Sequence, residues 1–138
     1  MEFRIATKAD ADAIIAFDRV AASEEARIAF IFREIEASAC YVTLVDGRVV
    51  AYAVLNYKFY DNGWMEMLYV DSCFRRRGVA SSLVRYLIDN CRTPKLFTST
   101  NQSNLEMQRL LEALGFSRSG TIENLDEDDP EWVYFKQL

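Results

Sequence analysis

The sequence predicts a single α+β domain on a mixed sheet, with elements in the order β-α-α-β-β-β-α-β-α-β-β. Three observations carry this. Two stretches with helical apolar spacing precede residue 40, three strand-like runs joined by tight turns follow between residues 41 and 70, and strand and helix patterns then alternate toward the carboxyl end. With 138 residues and 51% hydrophobic content, the chain can bury one substantial core and is too short for two ordinary ones.

Phe3 to Ala6 alternates like a short strand, and Thr7 can cap a helix to about Val20 with Ala13, Ile14, Phe17 and Ala21 on one face. Ser23 can cap a second helix whose first turn holds Glu24 and Glu25, where negative charge is favoured, and whose apolar stripe is Ile28, Ile31, Phe32 and Ile35. Tyr41 to Val45, the turn Asp46-Gly47 and Val49 to about Phe59 read as a hairpin rich in β-branched and aromatic residues. A second turn, Asp61-Asn62-Gly63, leads into a strand from Trp64 to Val70, so the three strands should form an antiparallel meander.

A helix then runs from about Gly78 to Asn90 with Val79, Leu83, Val84, Leu87 and Ile88 inward, and Thr93-Pro94 ends it. Leu96 to Thr100 is a strand. Ser103-x-x-Glu106 makes a capping box for a helix to Leu114, with Met107, Leu110, Leu111 and Leu114 as its apolar face and Gly115 as its stop. Phe116 to Ile122 and Trp132 to Lys136 are the last strands, around an acidic loop from Glu123 to Glu131.

Composition narrows the function. A net charge of -5 and a pI near 4.8 argue against general nucleic-acid binding. No apolar run approaches the roughly 18 to 20 residues that cross a bilayer, and the first residues lack the layout of a signal peptide, which predicts a cytoplasmic protein with no membrane partner. Cys40, Cys73 and Cys91 fit neither a disulfide framework nor a zinc site, so no metal is expected. With no histidine at all, Ser-His-Asp and Cys-His triads and histidine general bases are excluded. Chemistry falls to carboxylates, hydroxyls, thiols, backbone dipoles or water.

The most informative stretch runs from Val70 to Ala80, where a strand enters a basic, glycine-containing turn that opens a helix. Three arginines at the positive end of a helix repel its dipole. An anion would compensate them, and the free N–H groups of the first helical turn would complete its site. Gly78 and Ala80 keep that surface low, and arginine supplies planar donors suited to phosphate. The plain alternative is a solvated basic turn. A Walker A loop and a G-x-G-x-x-G dinucleotide loop are both absent.

The element order, together with Arg75-Arg76-Arg77-Gly78-Val79-Ala80 after Leu68-Tyr69-Val70-Asp71, resembles the GNAT superfamily of acyl-CoA-dependent N-acyltransferases and its Arg/Gln-x-x-Gly-x-Gly/Ala turn. A second match runs from Asn104 through Met107, Leu110 and Leu111 to Gly115-Phe116, and the resemblance covers nearly the whole chain. It implies a GNAT-like fold with acetyl-CoA as co-substrate. Residues Arg75, Arg76, Arg77, Gly78, Val79, Ala80 and Ser81 would hold the CoA pyrophosphate, and the main chain of Leu68, Tyr69 and Val70 would pair with the pantetheine arm. Asn104 would touch pantetheine, or simply sit in the first turn behind the Ser103 cap.

The implied reaction is attack of a primary amine on an acyl thioester in a ternary complex. A free alkylamine has a pKa of about 10.4, so its neutral form costs about 4.6 kcal/mol at pH 7. Glu66 is the candidate general base, and strict alternation puts it on the face of Trp64, Leu68 and Val70; a surface or structurally paired glutamate is the alternative. A backbone N–H near Leu68 or Tyr69 would meet the oxyanion. Many members place a tyrosine at the position of Leu111, so this chain lacks the common general acid, leaving Tyr69, Tyr134, Ser99, a water or unassisted departure. The same substitution admits a catalytically silent acyl-CoA sensor or interaction module. The acidic loop would favour a cationic acceptor or be a solvated turn, and Tyr57, Phe59, Tyr60, Trp64 and Trp132 would line the acceptor groove or belong to the core. A monomer or homodimer is expected.

Overall fold

Seven strands and four helices take up every periodic segment of the sequence in a computed structural model that describes residues 1–138. The strands are β1 (Glu2–Ile5), β2 (Cys40–Val45), β3 (Arg48–Phe59), β4 (Asn62–Val70), β5 (Lys95–Asn101), β6 (Ser117–Ile122) and β7 (Glu131–Gln137). The helices are α1 (Ala11–Phe17), α2 (Glu25–Glu36), α3 (Val79–Asn90) and α4 (Leu105–Ala113). One mixed sheet has the strand order β1-β2-β3-β4-β5-β7-β6. β4 and β5 pair in parallel, while β1–β2, β2–β3, β5–β7 and β6–β7 are antiparallel. The predicted α+β class and element order are therefore those observed. The chain divides into two compact units, Met1–Leu55 with Met67–Leu87, and Asn56–Glu66 with Ile88–Leu138.

In the first unit, Ile14, Ile31 and Ile35 pack with Cys40, Val42, Leu44, Tyr52 and Val54 of β2 and β3, and Met67 and Tyr69 of β4 close over them. β3 is buried at every residue from Val49 to Leu55, so it reads as an unbroken apolar run instead of alternating. Tyr86 of α3 stacks on Phe3 at 5.3 Å between ring centroids, and Val79, Leu83, Val84 and Leu87 of α3 are buried.

Two expectations change here. α1 stops at Phe17 because Asp18 offers the chain other partners: its Oδ1 accepts from Val20 N and Ala21 N at 2.9 and 3.3 Å. On α2 the inward stripe is Ile31, Glu34 and Ile35, with Ile28 half-buried and Phe32 exposed. Burial, with Asp10 and Glu34 adding to it, pushes the Cys40 thiol up to about 12, which makes it inert at neutral pH.

In the second unit, register aligns Trp64, Phe97 and Phe135 across β4, β5 and β7. Phe59 stacks on Trp64 at 4.5 Å, and Phe97 lies 5.1 Å from Phe59 and 5.8 Å from Phe135. The β3–β4 turn is Tyr60-Asp61, both in left-handed backbone, one residue earlier than the glycine suggested. Gly63 instead lies inside β4, where a Cβ would come within 2.5 Å of Cys91 Sγ. The cap of α4 is Asn104, whose side chain accepts from Met107 N at 3.1 Å, and Ser103 Oγ donates to Asp129 Oδ2 at 2.6 Å. Both residues are good caps, and the tie to Asp129 decides between them.

Candidate active site

In the first unit, β4 ends at Val70 and Asp71 braces the exit. Its carboxylate accepts from Cys73 N at 2.9 Å and from Arg48 at 3.1 Å, across a short 3₁₀ turn at Ser72–Phe74. Arg75 folds back: its Nε donates to Val70 O at 3.2 Å, and its guanidinium lies 5.5 Å from the Tyr69 ring. The Arg77 guanidinium lies 5.2 Å from the Phe74 ring. Arg76 takes a left-handed backbone with φ of 62°, and Gly78 does the same with φ of 77°.

Helix α3 begins only at Val79, so the arginines form the wall before the helix and not its first turn. Gly78 O accepts from Ser82 N at 3.0 Å, closing the first helical hydrogen bond and leaving the N–H groups of Val79, Ala80 and Ser81 without intrahelical partners. None of the three arginines is in an ion pair. A Cβ on Gly78 would meet nothing within 4 Å, so glycine serves the backbone angle and an open surface and not internal packing. Unpaired guanidinium groups beside free amides suit a phosphorylated ligand. Residues 75 to 81 and the end of Leu68–Val70 thus form one continuous feature, in which Val70 O holds Arg75 and the Tyr69 hydroxyl accepts from Arg19 N at 3.1 Å. A cavity of about 350 Å³ beside it is lined by Phe17, Arg19, Arg48 and Asp71 among others.

In the second unit, Glu66 is exposed, and its Oε1 accepts from Asn56 Nδ2 at 2.8 Å. Asn56 is buried, and its Oδ1 accepts from Lys58 N at 3.1 Å, which fixes the amide orientation. Glu66 is exposed while Val70 is buried, so burial does not follow the common face that strict alternation assigned them. Sequence reasoning missed Asn56. The available signal was a polar residue at the end of an apolar strand.

The hydroxyl candidates separate clearly. Ser99 Oγ donates to Glu131 Oε1 at 2.9 Å, and Tyr69 is the acceptor of Arg19 N in the other unit. Tyr134 is fully buried and its hydroxyl has no hydrogen-bond partner. Leu111 is fully buried too. In the acidic loop, Asp126 and Asp129 hold Asn101 and Ser103, and Asp126 also lines a cavity of about 470 Å³ together with Glu123, Glu127 and Asp128. Among the aromatic candidates, Phe59 and Trp64 belong to the stacked row, Tyr57 meets Arg92, Trp132 carries the Arg118 guanidinium at 3.7 Å, and Tyr60 is 85% exposed.

A buried network in the first unit also went unread. Asp18 Oδ2 accepts from Arg27 at 2.8 Å and from the Tyr52 hydroxyl at 2.5 Å, and burial together with Asp18 pushes the Tyr52 phenol well up. Its members come from three separate elements, so no local pattern announces it.

Residues 10–116 match the Acetyltransferase (GNAT) family. Among solved structures, a GNAT-family acetyltransferase from Bacillus cereus ATCC 10987 is 34% identical, with a TM-score of 0.92 over 99% of this chain and 96% of that one. The ribosomal-protein-alanine N-acetyltransferase from Brucella melitensis is 22% identical, with a TM-score of 0.80 over 100% of both chains. The protein yncA from Salmonella typhimurium, solved with its cofactor acetyl-CoA, is 20% identical, with a TM-score of 0.77 over 99% of this chain and 93% of that one. No curated protein matches the chain. With most of its length matched and a relative above 30% identity, the chain belongs to the acetyltransferase (GNAT) family.

Proposed function

We propose that the protein is a single-domain N-acetyltransferase that moves an acetyl group from acetyl-CoA to a primary amine by direct attack in a ternary complex. The observation that carries this reading is the turn at Gly78: a left-handed, exposed glycine before a helix whose first amides are open, walled by arginines without carboxylate partners. In this reading Arg75 to Ser81 hold the pyrophosphate, and the main chain of Leu68 to Val70 pairs with pantetheine. Asn104 offers its Nδ2 to the same arm, since its Oδ1 already caps α4. Glu66, oriented by Asn56, takes the amine proton, and a β4 backbone N–H near Leu68 or Tyr69 meets the oxyanion. Glu123, Glu127 and Asp128 favour a cationic acceptor. A second reading, a catalytically silent acyl-CoA-binding module, is favoured by one observation: Leu111 is buried and has no hydroxyl.

Thermal unfolding with and without acetyl-CoA tests the first step. At about 100 times Kd the ligand should stabilise the wild type by about 2.7 kcal/mol. Gly78→Ala should lose that protection, and the left-handed backbone should itself cost about 1 kcal/mol of stability. Undiminished protection in the variant would sink the phosphate-cradle assignment. A thiol-release screen over polyamines, amino acids, aminoglycosides and basic peptides separates the two readings, because binding without turnover across all of them favours the silent module.

A further inference from the structure

Arg48 opens β3 beside the end of β4, where Asp71 N donates to Val50 O at 2.8 Å, and two contacts fix its side chain. Its Nη2 donates to Asp71 Oδ2 at 3.1 Å, and its guanidinium lies 5.4 Å from the Phe74 ring, which also carries Arg77 at 5.2 Å. One aromatic side chain of the turn therefore separates Arg48 from an arginine of the phosphate wall. Two cations on one ring repel each other, and Asp71 offsets only one of them, because Arg77 is in no ion pair. Asp71 is buried while the Arg48 side chain is 65% exposed, so the pair uses one guanidinium donor and leaves the others open to a ligand. Arg48 and Asp71 are also walls of the cavity of about 350 Å³, shared with Phe17, Arg19, Val49 and Ser72. The Arg19 side chain has no ion pair, and only its backbone N–H is engaged, by the Tyr69 hydroxyl. A surface ion pair bracing the strand ends is the plain use of Arg48 and Asp71, but such a pair contributes little stability and accounts neither for the second cation on the ring nor for Arg19.

Resting on the acetyl-CoA reading above, we infer that Arg48, with Arg19 across the cavity, receives the 3′-phosphate of the coenzyme while Arg75 to Ser81 hold its pyrophosphate. Both anionic groups hang from one ribose, and in the protein one phenyl ring stands between Arg48 and Arg77, the arginines that would meet them. A phosphomonoester carries about −1.5 to −2 charge at pH 7 and presents three acceptor oxygens, enough for two planar guanidinium forks at once. Arg48 is already oriented by Asp71 and Phe74, so little side-chain freedom is lost on binding. The consequence is a choice of acyl donor. Coenzyme A thioesters are taken in preference to acyl groups carried on phosphopantetheine alone, which lacks the 3′-phosphate.

Calorimetric titration of the wild type with CoA and with 3′-dephospho-CoA tests this without any substitution. CoA should bind on the order of 10- to 100-fold more tightly, the size of a hydrogen bond between charged groups. In Arg48→Ala most of that preference should vanish, with CoA affinity reduced and dephospho-CoA affinity within about twofold of the wild type. Arg48→Ala also leaves Asp71 buried without its cation, so Arg19→Ala, whose side chain has no ion pair to lose, provides a second reading and should reduce the preference about threefold or more. Equal affinity of the wild type for the two ligands overturns the inference. So does a preference that survives intact in Arg48→Ala or, should that variant not fold, in Arg19→Ala. A wild type that binds both ligands equally loses the Arg48 role alone, whereas one that binds neither loses the acetyl-CoA reading with it.

Discussion

Asn56 is the first polar side chain after a run of buried apolar residues that begins at Val49. A buried amide is tolerated when both ends are used, and here Glu66 and Lys58 N use them. The arrangement leaves Glu66 Oε2 free for a proton, which gives an exposed carboxylate a fixed direction. Asn56→Leu should therefore lower kcat about tenfold and leave KM for acetyl-CoA nearly unchanged, and the same change should have no further effect in a Glu66→Gln background. Steady-state kinetics of the two single variants and the double variant measure this coupling. Additive losses would show that Asn56 acts apart from Glu66. Gly78 and the arginines were legible in the sequence because their meaning is local: a backbone angle, a charge and a helix start. Asn56 was not, because its partner is on another strand.

At the scale of elements, helix ends carried most of the misreadings. The periodic apolar positions of α3 and α4 were legible, since packing repeats every turn. The end of α1 was set by Asp18, whose carboxylate gathers two backbone amides, Arg27 and Tyr52 from elsewhere in the fold. The Ser103–Asn104 choice likewise depended on Asp129, distant in sequence. The start of α1 has a comparable hub in Asp10, whose carboxylate takes both Arg4 terminal nitrogens at 2.8 and 3.0 Å and Thr7 N at 2.7 Å. The Arg4 hydrogen bonds hold the Asp10 carboxyl below the usual carboxylate range, with burial opposing and Thr7 assisting. A carboxyl depressed on folding stabilises the protein above its unfolded pKa of about 3.9 and ceases to do so as pH falls through the lower folded value. Asp10→Asn should cost about 1 kcal/mol at pH 7, as lost helix-start contacts do. The stabilities of the two proteins in urea unfolding should converge as pH falls below the unfolded value of about 3.9, and a gap of constant size across that range would contradict this account.

For the whole molecule, the order of the strands and the family were legible because a short set of motifs falls at fixed places along a chain that one fold can satisfy. What the sequence could not show was which hydroxyls and carboxylates are already engaged, as Ser99 is with Glu131 and Asn56 with Glu66. The molecule carries a net charge of -5, so its overall field repels an anionic co-substrate. Screening confines that field to about 8 Å at physiological salt, and within the turn itself the arginines set the sign. Arg76 has an unusual place among them, because its left-handed backbone is one that glycine adopts without strain. Arg76→Gly should therefore raise thermal stability slightly while weakening acetyl-CoA binding, and calorimetry together with a binding titration would read the two effects apart; a variant that is both less stable and weaker in binding would contradict it. At this one position shape and charge pull in opposite directions, so a single substitution provides its own control: affinity lost from a turn relieved of strain reports the side chain that was removed and not a collapsed backbone.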